Sequence, residues 1–435
     1  MRHAKKLLSL LLAFLLIFSL AACQQTPAET TTAPTETTAA PTETTATPTE
    51  TTAPEETTEA TEPLTPEEQI LKERRQTVID YMLKDLSVLW RADIESEITY
   101  SPAKPNAYET LVPGRIYQGL PYSFGSSSVY RLLDFASSQD EKGIYNISGI
   151  TMEMLDGATA VARLGNDCSS AVAIAWSQIN ASITHSATRK ICEDNGYLPV
   201  GDYQNIPDTN ENSGQVIAMN GADVMFAAYA QLKPADALAR SGHMVLVTDV
   251  DVVYQDDGTI DSKQSTVTII DQTSTNQKQG ASEWNEALGE RVYIIGNAEP
   301  LVFNFRYLLK EAYLPVTCKE LRDPTPLPEP EITDTLTEYN KDNLFSGTIN
   351  SNWWIDTVTV TITDSEGQPL QEASTTAIRH KHWFFEMERF VTDDPKSIQG
   401  SIDLAALTSG NYHCTVVCRL TTGEEFTVRD FDFTV

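Results

Sequence analysis

The sequence predicts an α+β fold followed by an all-β region, and three observations carry that expectation. Apolar residues recur at helical spacing up to residue 179 and again near residue 225, whereas β-branched runs dominate from residue 243 onward. Four prolines alternate with other residues in "DPTPLPEPE" (Asp323–Glu331), a stiff, extended stretch that separates the mixed region from one built of strand-like runs alone. About 370 residues are available for folding, a length that suits two domains.

In chain order, "PEEQILKERRQTVIDYMLKDLSVLW" sets Leu71, Val78, Met82, Leu86 and Leu89 on one stripe, which predicts an amphipathic helix. A second helix is expected to begin near Cys168, because Ala171, Val172, Ala175, Trp176 and Ile179 fall on one face. A third is expected in "GADVMFAAYAQL". The runs "GHMVLVTDVDVVYQ", "STVTIIDQTS" and "RVYIIG", with the turn former "DDG", predict neighbouring antiparallel strands. Past the prolines, "DTVTVTITD", "HWFFEMERFV", "YHCTVVCRLTT" and "EEFTVRDFDFTV" alternate with the turns "EGQ" and "TGEE", the pattern of an immunoglobulin-like β-sandwich. The expected boundaries are 66–320 for the mixed domain, 321–334 for the linker and 335–435 for the sandwich.

The chain starts with a basic segment (Arg2, Lys5, Lys6), an apolar run of 14 residues from Leu7 to Leu20, then small residues and a cysteine. That is the layout of a secretory signal, and the run falls short of the roughly 20 residues that span a bilayer as a helix. Leu20-Ala21-Ala22-Cys23 resembles the bacterial lipobox, which implies removal of residues 1–22 and lipidation of Cys23. The expected location is the outer face of a bacterial membrane, held through the lipid alone. Residues 23–65 repeat "APTETT" with eight glutamates, no lysine or arginine and no large apolar side chain before Leu64. Such a segment has nothing to bury, and its prolines break helices, so it is expected to be an extended stalk reaching into the cell wall. The net charge of −30 argues against nucleic acid as a partner. Composition says nothing of oligomeric state.

Beyond Cys23 the chain has Cys168, Cys192, Cys318, Cys414 and Cys418, an odd number that cannot all pair within one molecule. Spacing leaves a Cys192–Cys318 pair open. Cys414 and Cys418 stand roughly 13 Å apart along a strand, too far for a disulfide, and are expected to be small core residues. No ligand spacing supports a metal site, no glycine loop suggests a nucleotide, and no cofactor is expected.

Cys168 has a different setting, in "GNDCSSAVAIAW". A cysteine entering a helix behind a capping Asp167 meets unpaired backbone N–H groups and the positive end of the dipole, which favour an anion. The same groups can hold the oxyanion formed when a thiolate attacks an amide. A base is then required. His185 would lie about 25 Å away if the helix continues, and His380, His382 and His413 belong to the β region. His243 remains, at the head of a strand and just after Gly242. The next run ends in Asp271 and Gln272, either of which could hold the second imidazole nitrogen. Asp271 is preferred because an anion also stabilises imidazolium. Alternation puts the two on opposite faces and does not say which face meets the histidine.

Four segments in order, "YQGLPYSFG", "NDCSSAV", "LKPADALARSGHMVLV" and "VTIIDQTS", resemble the motifs of the NlpC-type and CHAP-type cell-wall peptidases, across roughly residues 110–300. The resemblance implies a papain-like fold, with Cys168 as nucleophile, His243 as general base and Asp271 as the orienting residue. It implies Tyr122 as the site tyrosine, with Asp167, Ser169 and Gln272 on the substrate side. It further implies hydrolysis of an amide in peptidoglycan peptides through an acyl-thioester. Three features depart from the pattern. About 40 residues separate Gly125 from Gly165. Lys233-Pro234-Ala235-Asp236 stands where those families carry glycine before aspartate. The third catalytic residue is neither the usual histidine nor the usual glutamate. The competing expectation is a surface lipoprotein without activity that binds the wall or a protein, and a narrower one is acyl transfer to an amine.

Overall fold

Helix α1 (Pro66–Ser87) starts at a capping box: Glu68 N donates to Thr65 Oγ1 at 3.2 Å, and Thr65 N donates to Glu68 Oε2 at 2.9 Å. Its buried stripe is Arg74, Val78, Met82 and Leu86. Arg74 fills the gap between the apolar residues, and its guanidinium donates to the carbonyls of Glu320, Asp323 and Thr325 at 3.0, 2.7 and 2.6 Å. A buried cation is tolerated because its donors are met. These bonds fasten the proline-rich segment to α1. From the other side Trp353 Nε1 donates to Pro328 O (3.0 Å) and Asn352 Nδ2 to Glu329 O (2.8 Å), so the expected linker is held on both flanks.

The computed structural model describes residues 64–100, 109–122, 136–148, 150, 165–179, 183, 196–206, 212–273, 281–295, 299–375, 378, 380–384 and 398–435. The signal sequence 1–22, Cys23, the stalk through residue 63, His185 and Cys192 lie outside the described residues. Residues Pro63–Val435 make up one unit of mixed α+β structure, with few helices and many strands.

The sheet that positions the site has six antiparallel strands: β1 (Tyr197–Pro199), β2 (Ala237–Arg240), β3 (His243–Asp251), β4 (Thr266–Ile270), β5 (Leu301–Asn304) and β6 (Leu314–Cys318). Their order is β5-β4-β3-β2-β6-β1. On one face Ala237, Ala239, Met244, Leu246 and Ile270 pack against α1 and α2 (Cys168–Ser177). On the other, Leu238, Val245, Val247, Val267 and Ile269 pack against α3 (Ser213–Asn220), α4 (Ala222–Tyr229) and α5 (Phe305–Lys310). Because both faces are covered, Met244–Val247 is a continuous apolar run rather than an alternation.

A second, mixed sheet runs in the order Ser282–Asn285, Glu290–Ile294, Ile116–Gln118, Leu89–Asp93, Tyr145–Ser148, Ala136–Gln139. The expectation that "RVYIIG" neighbours the His243 strand fails here. Glu290–Ile294 instead pairs in parallel with Ile116–Gln118, with Val292 opposite Ile116, and Tyr293 lies beside the Tyr117 ring. Its apolar residues complete a core around Trp90 and Tyr117 that sequence alternation cannot assign to one sheet or the other. Within the long stretch before Gly165, residues 136–148 supply the last two strands in this order.

The C-terminal region is all β: β7 (Ile332–Asp334), β8 (Thr348–Asp364), β9 (Pro369–Thr375), β10 (His380–Phe384), β11 (Ile398–Gly400), β12 (Asn411–Leu420) and β13 (Glu425–Thr434). All seven join into one sheet through the 17-residue β8, whose first half pairs with β7 and β10 and whose second half pairs with β9 and β12. Trp354 of β8 leaves the β core and enters the core of α1 and α2, where its indole donates to Ile183 O at 2.7 Å. Ser177 Oγ donates to Thr421 Oγ1 (3.1 Å) and Gln178 Nε2 to Thr421 O (3.0 Å), so the β region holds the C-terminal end of α2.

Candidate active site

Asp167 caps α2. Its Oδ1 accepts Ser170 N at 2.6 Å, Ser170 Oγ at 2.8 Å and Ser169 Oγ at 3.0 Å. Cys168 is therefore the first helical residue, on the turn whose leading N–H groups have no intrahelical partners. The helix enters from Gly165, whose φ of +113° suits glycine, and a Cβ there would overlap the Pro121 carbonyl. The close approach lets Asn166 N donate to Pro121 O (3.3 Å) and pairs Asn166 with Tyr122 in a parallel bridge. Tyr122 arrives from the second sheet and lies near Cys168, whose sulfur adds to the rise in the phenol's pKa. Burial, followed by the Cys168 and Asp167 side chains, pushes the phenol well above its ordinary range, so Tyr122 is a neutral hydroxyl at any working pH.

His243 opens β3 after a two-residue turn, Ser241-Gly242, closed by the Arg240–His243 pair. Gly242 takes a φ of +73°, and its carbonyl stands 4.0 Å from Cys168 Sγ. Imidazole Nε2 lies 3.2 Å from Asp271 Oδ2, with the two side chains 19% and 9% exposed. Nδ1 is the nitrogen left to face Cys168, whose nearby sulfur adds to the rise in the ring's pKa. Burial works against the imidazolium, but the Asp271 charge and hydrogen bond, with a smaller push from Cys168, more than offset it. The histidine pKa rises from 6.5 to about 10. The ring thus carries a proton at neutral pH.

Strand register decides between Asp271 and Gln272. Ile270 is opposite Leu246, so one step further Asp271 shares the face of Val245 and His243, while Gln272 points to the opposite face. There Gln272 is buried and its Nε2 donates to the carbonyls of Leu120 (3.1 Å) and Pro121 (3.4 Å), fixing the segment that delivers Tyr122. Cys168, His243, Asp271 and Tyr122 thus converge. Asp167, Ser169 and Gln272 adjoin them with their hydrogen bonds spent on the cap and on the Tyr122 segment.

Tyr313 was not singled out from the sequence. It is buried just beyond α5, follows Ala312 at φ +56°, and meets the His243 ring edge-on with centroids 6.4 Å apart. Arg240 lies over the Tyr313 ring at 5.1 Å and pairs with Glu311 at 3.2 Å. Nothing in the periodicity of "EAYLPV" marks a residue 70 positions from His243 as its neighbour. In the Lys233–Asp236 loop Ala235 takes φ +72°, and Asp236 accepts Lys233 N (2.8 Å), Thr317 Oγ1 (2.6 Å) and Arg75 Nη1 (3.0 Å).

The other described cysteines contrast with Cys168. Cys414 and Cys418 are fully buried in β12, and burial pushes both thiols up to about 12, which leaves them inert. Cys318 is buried in β6. Among the described residues no group of three His, Cys, Asp or Glu side chains is arranged to hold a metal. No family profile matches the chain, and no curated protein matches it in sequence.

Proposed function

We propose that this chain is a lipid-anchored, papain-like cysteine hydrolase of the bacterial surface that cuts an amide bond in peptidoglycan peptides. One observation carries the proposal: a cysteine at the mouth of α2 faces an imidazole whose other nitrogen is held by a buried carboxylate. Helix α2 packed on an antiparallel sheet supports the papain-like assignment, and the leader, lipobox and stalk support the surface location.

In this mechanism the Cys168 sulfur attacks the amide carbon and the carbonyl π pair moves onto oxygen. As the tetrahedral intermediate collapses, the C–N bond breaks and the leaving amine takes the proton held by His243. Water then attacks the thioester with His243, now neutral, as its base, and Cys168 is released. Asp271 holds the ring and stabilises its cationic form. Tyr122, neutral beside the sulfur, walls the site.

Iodoacetamide labelling with digestion of purified cell walls tests this. The expected result is fast, selective alkylation of Cys168 near neutral pH, and muropeptide release that Cys168→Ala abolishes. If Cys168 reacts no faster than a free thiol and Cys168→Ala changes nothing, the chain is a wall-binding lipoprotein instead. Amide-linked products formed with an added amine would redirect the reaction to acyl transfer.

A further inference from the structure

Asn166 has no role in the reaction as described, yet it is 3% exposed, and its amide makes no hydrogen bond among the described residues. Its Oδ1 is fully enclosed without a partner, whereas the Nδ2 end retains a sliver of accessible surface. Buried amides without partners are costly, and in native proteins they mark strain or a functional role. The backbone of Asn166 is fully engaged: its N–H bonds Pro121 O, and it is the bridge partner of Tyr122. Paired residues in a parallel bridge project to the same side. Tyr122 projects to the Cys168 sulfur, so the Asn166 amide flanks the same space, two residues before the nucleophile and beside the unpaired N–H groups at the start of α2.

We propose that the Asn166 side-chain amide is the second donor of the oxyanion hole, beside the backbone N–H of Cys168. This rests on the proposed cysteine hydrolase reading and deepens it. As the C–S bond forms, the displaced π pair becomes an oxyanion that receives both N–H bonds. When the oxyanion collapses, the pair returns to C=O, the leaving group departs, and the thioester stays on Cys168. Asn166 is thus idle in the resting enzyme and employed at the tetrahedral stage. An open amide in the free protein is the expected resting condition, because a preorganised donor costs no rearrangement when charge develops.

The test separates two reactions of the same sulfur in the full-length chain. Alkylation by iodoacetamide is a displacement at saturated carbon and forms no oxyanion. Acylation by p-nitrophenyl acetate passes through one and is read as a burst of p-nitrophenolate. In Asn166→Ala and in the isosteric Asn166→Asp, the acylation rate is expected to fall about 10²- to 10³-fold while alkylation stays within about twofold. Retained alkylation also reports that α2 and the thiol–imidazole pair remain folded. Unchanged acylation in both variants overturns the proposal. An equal loss of acylation and alkylation also overturns it, because Asn166 would then be structural. If the wild-type chain shows neither fast alkylation nor a burst, the hydrolase reading itself fails, and the variants are not needed to learn that.

Discussion

Both regions of this molecule contain histidines beside aspartates and cysteines in ordered backbone, and only one has the makings of a site. In the β region His413 sits between Asp430 and Asp432, each 2.9 Å from a ring nitrogen, closer than the 3.2 Å from His243 to Asp271. Yet His413 is 36% exposed and its carboxylates 63% and 89%, in water that screens them. His243 and Asp271 are largely withdrawn from solvent, so the same charge pairing shifts the imidazole by several pH units. The cysteines differ in the same way: Cys414 and Cys418 are buried among apolar strands, whereas Cys168 meets a helix start, an imidazole and a phenol. Enclosure and a neighbouring thiol distinguish the two regions, and the His–Asp distance does not.

Four tests would break or sharpen this contrast. The largest effect is expected from Cys168→Ala, which should lower muropeptide release on the order of 10⁴-fold or more, while Cys414→Ala and Cys418→Ala leave Cys168 alkylation unchanged. Next, Trp354→Ala should cost about 3–5 kcal/mol in unfolding free energy, because this indole of the β region fills the core behind α2. Denaturant titration measures it, and a cost under 1 kcal/mol would mean that the two regions are energetically separate.

Asp271→Asn should slow turnover about 100-fold and move the alkaline limb of the pH–rate profile to lower pH, because the negative charge that raises the histidine is gone. The sign for stability follows from the same shift. With the folded pKa near 10 and the ordinary value 6.5, the His243–Asp271 pair contributes in full below about pH 6.5, and the contribution is lost as pH rises through 10. Unfolding midpoints between pH 6 and 10.5 should therefore fall more in the wild type than in Asp271→Asn. The smallest effect belongs to His413→Ala, expected within about 0.5 kcal/mol of wild type and without influence on alkylation.

What the sequence disclosed was mostly local. Asp167 before an apolar stripe marks the start of α2 because a cap and its helix are set by neighbours in the chain. The α+β order and the apolar β3 run are legible for the same reason. Partners across the sheets are not. Choosing Asp271 over Gln272 needed the Ile270–Leu246 register, and β3 carries an extra residue at Thr248, between the pairs Thr268–Asp249 and Ile269–Val247, that no alternation rule anticipates. Arg74 was visible only as a gap in an apolar stripe, since its three carbonyl partners lie some 250 residues away. Tyr313 and Asn166 left no periodic trace, because each matters through one contact or one vacancy in three dimensions.

The indole of Trp354 and the hydroxyl of Thr421 tie the C-terminal region to the helix that carries Cys168. A segment that plugs into another's interior cannot be exchanged like a cassette: grafting a different domain after residue 334 would leave a hole beneath α2. Change in this lineage is therefore expected to retouch strand ends and loops far from Trp354 while leaving the seam itself intact.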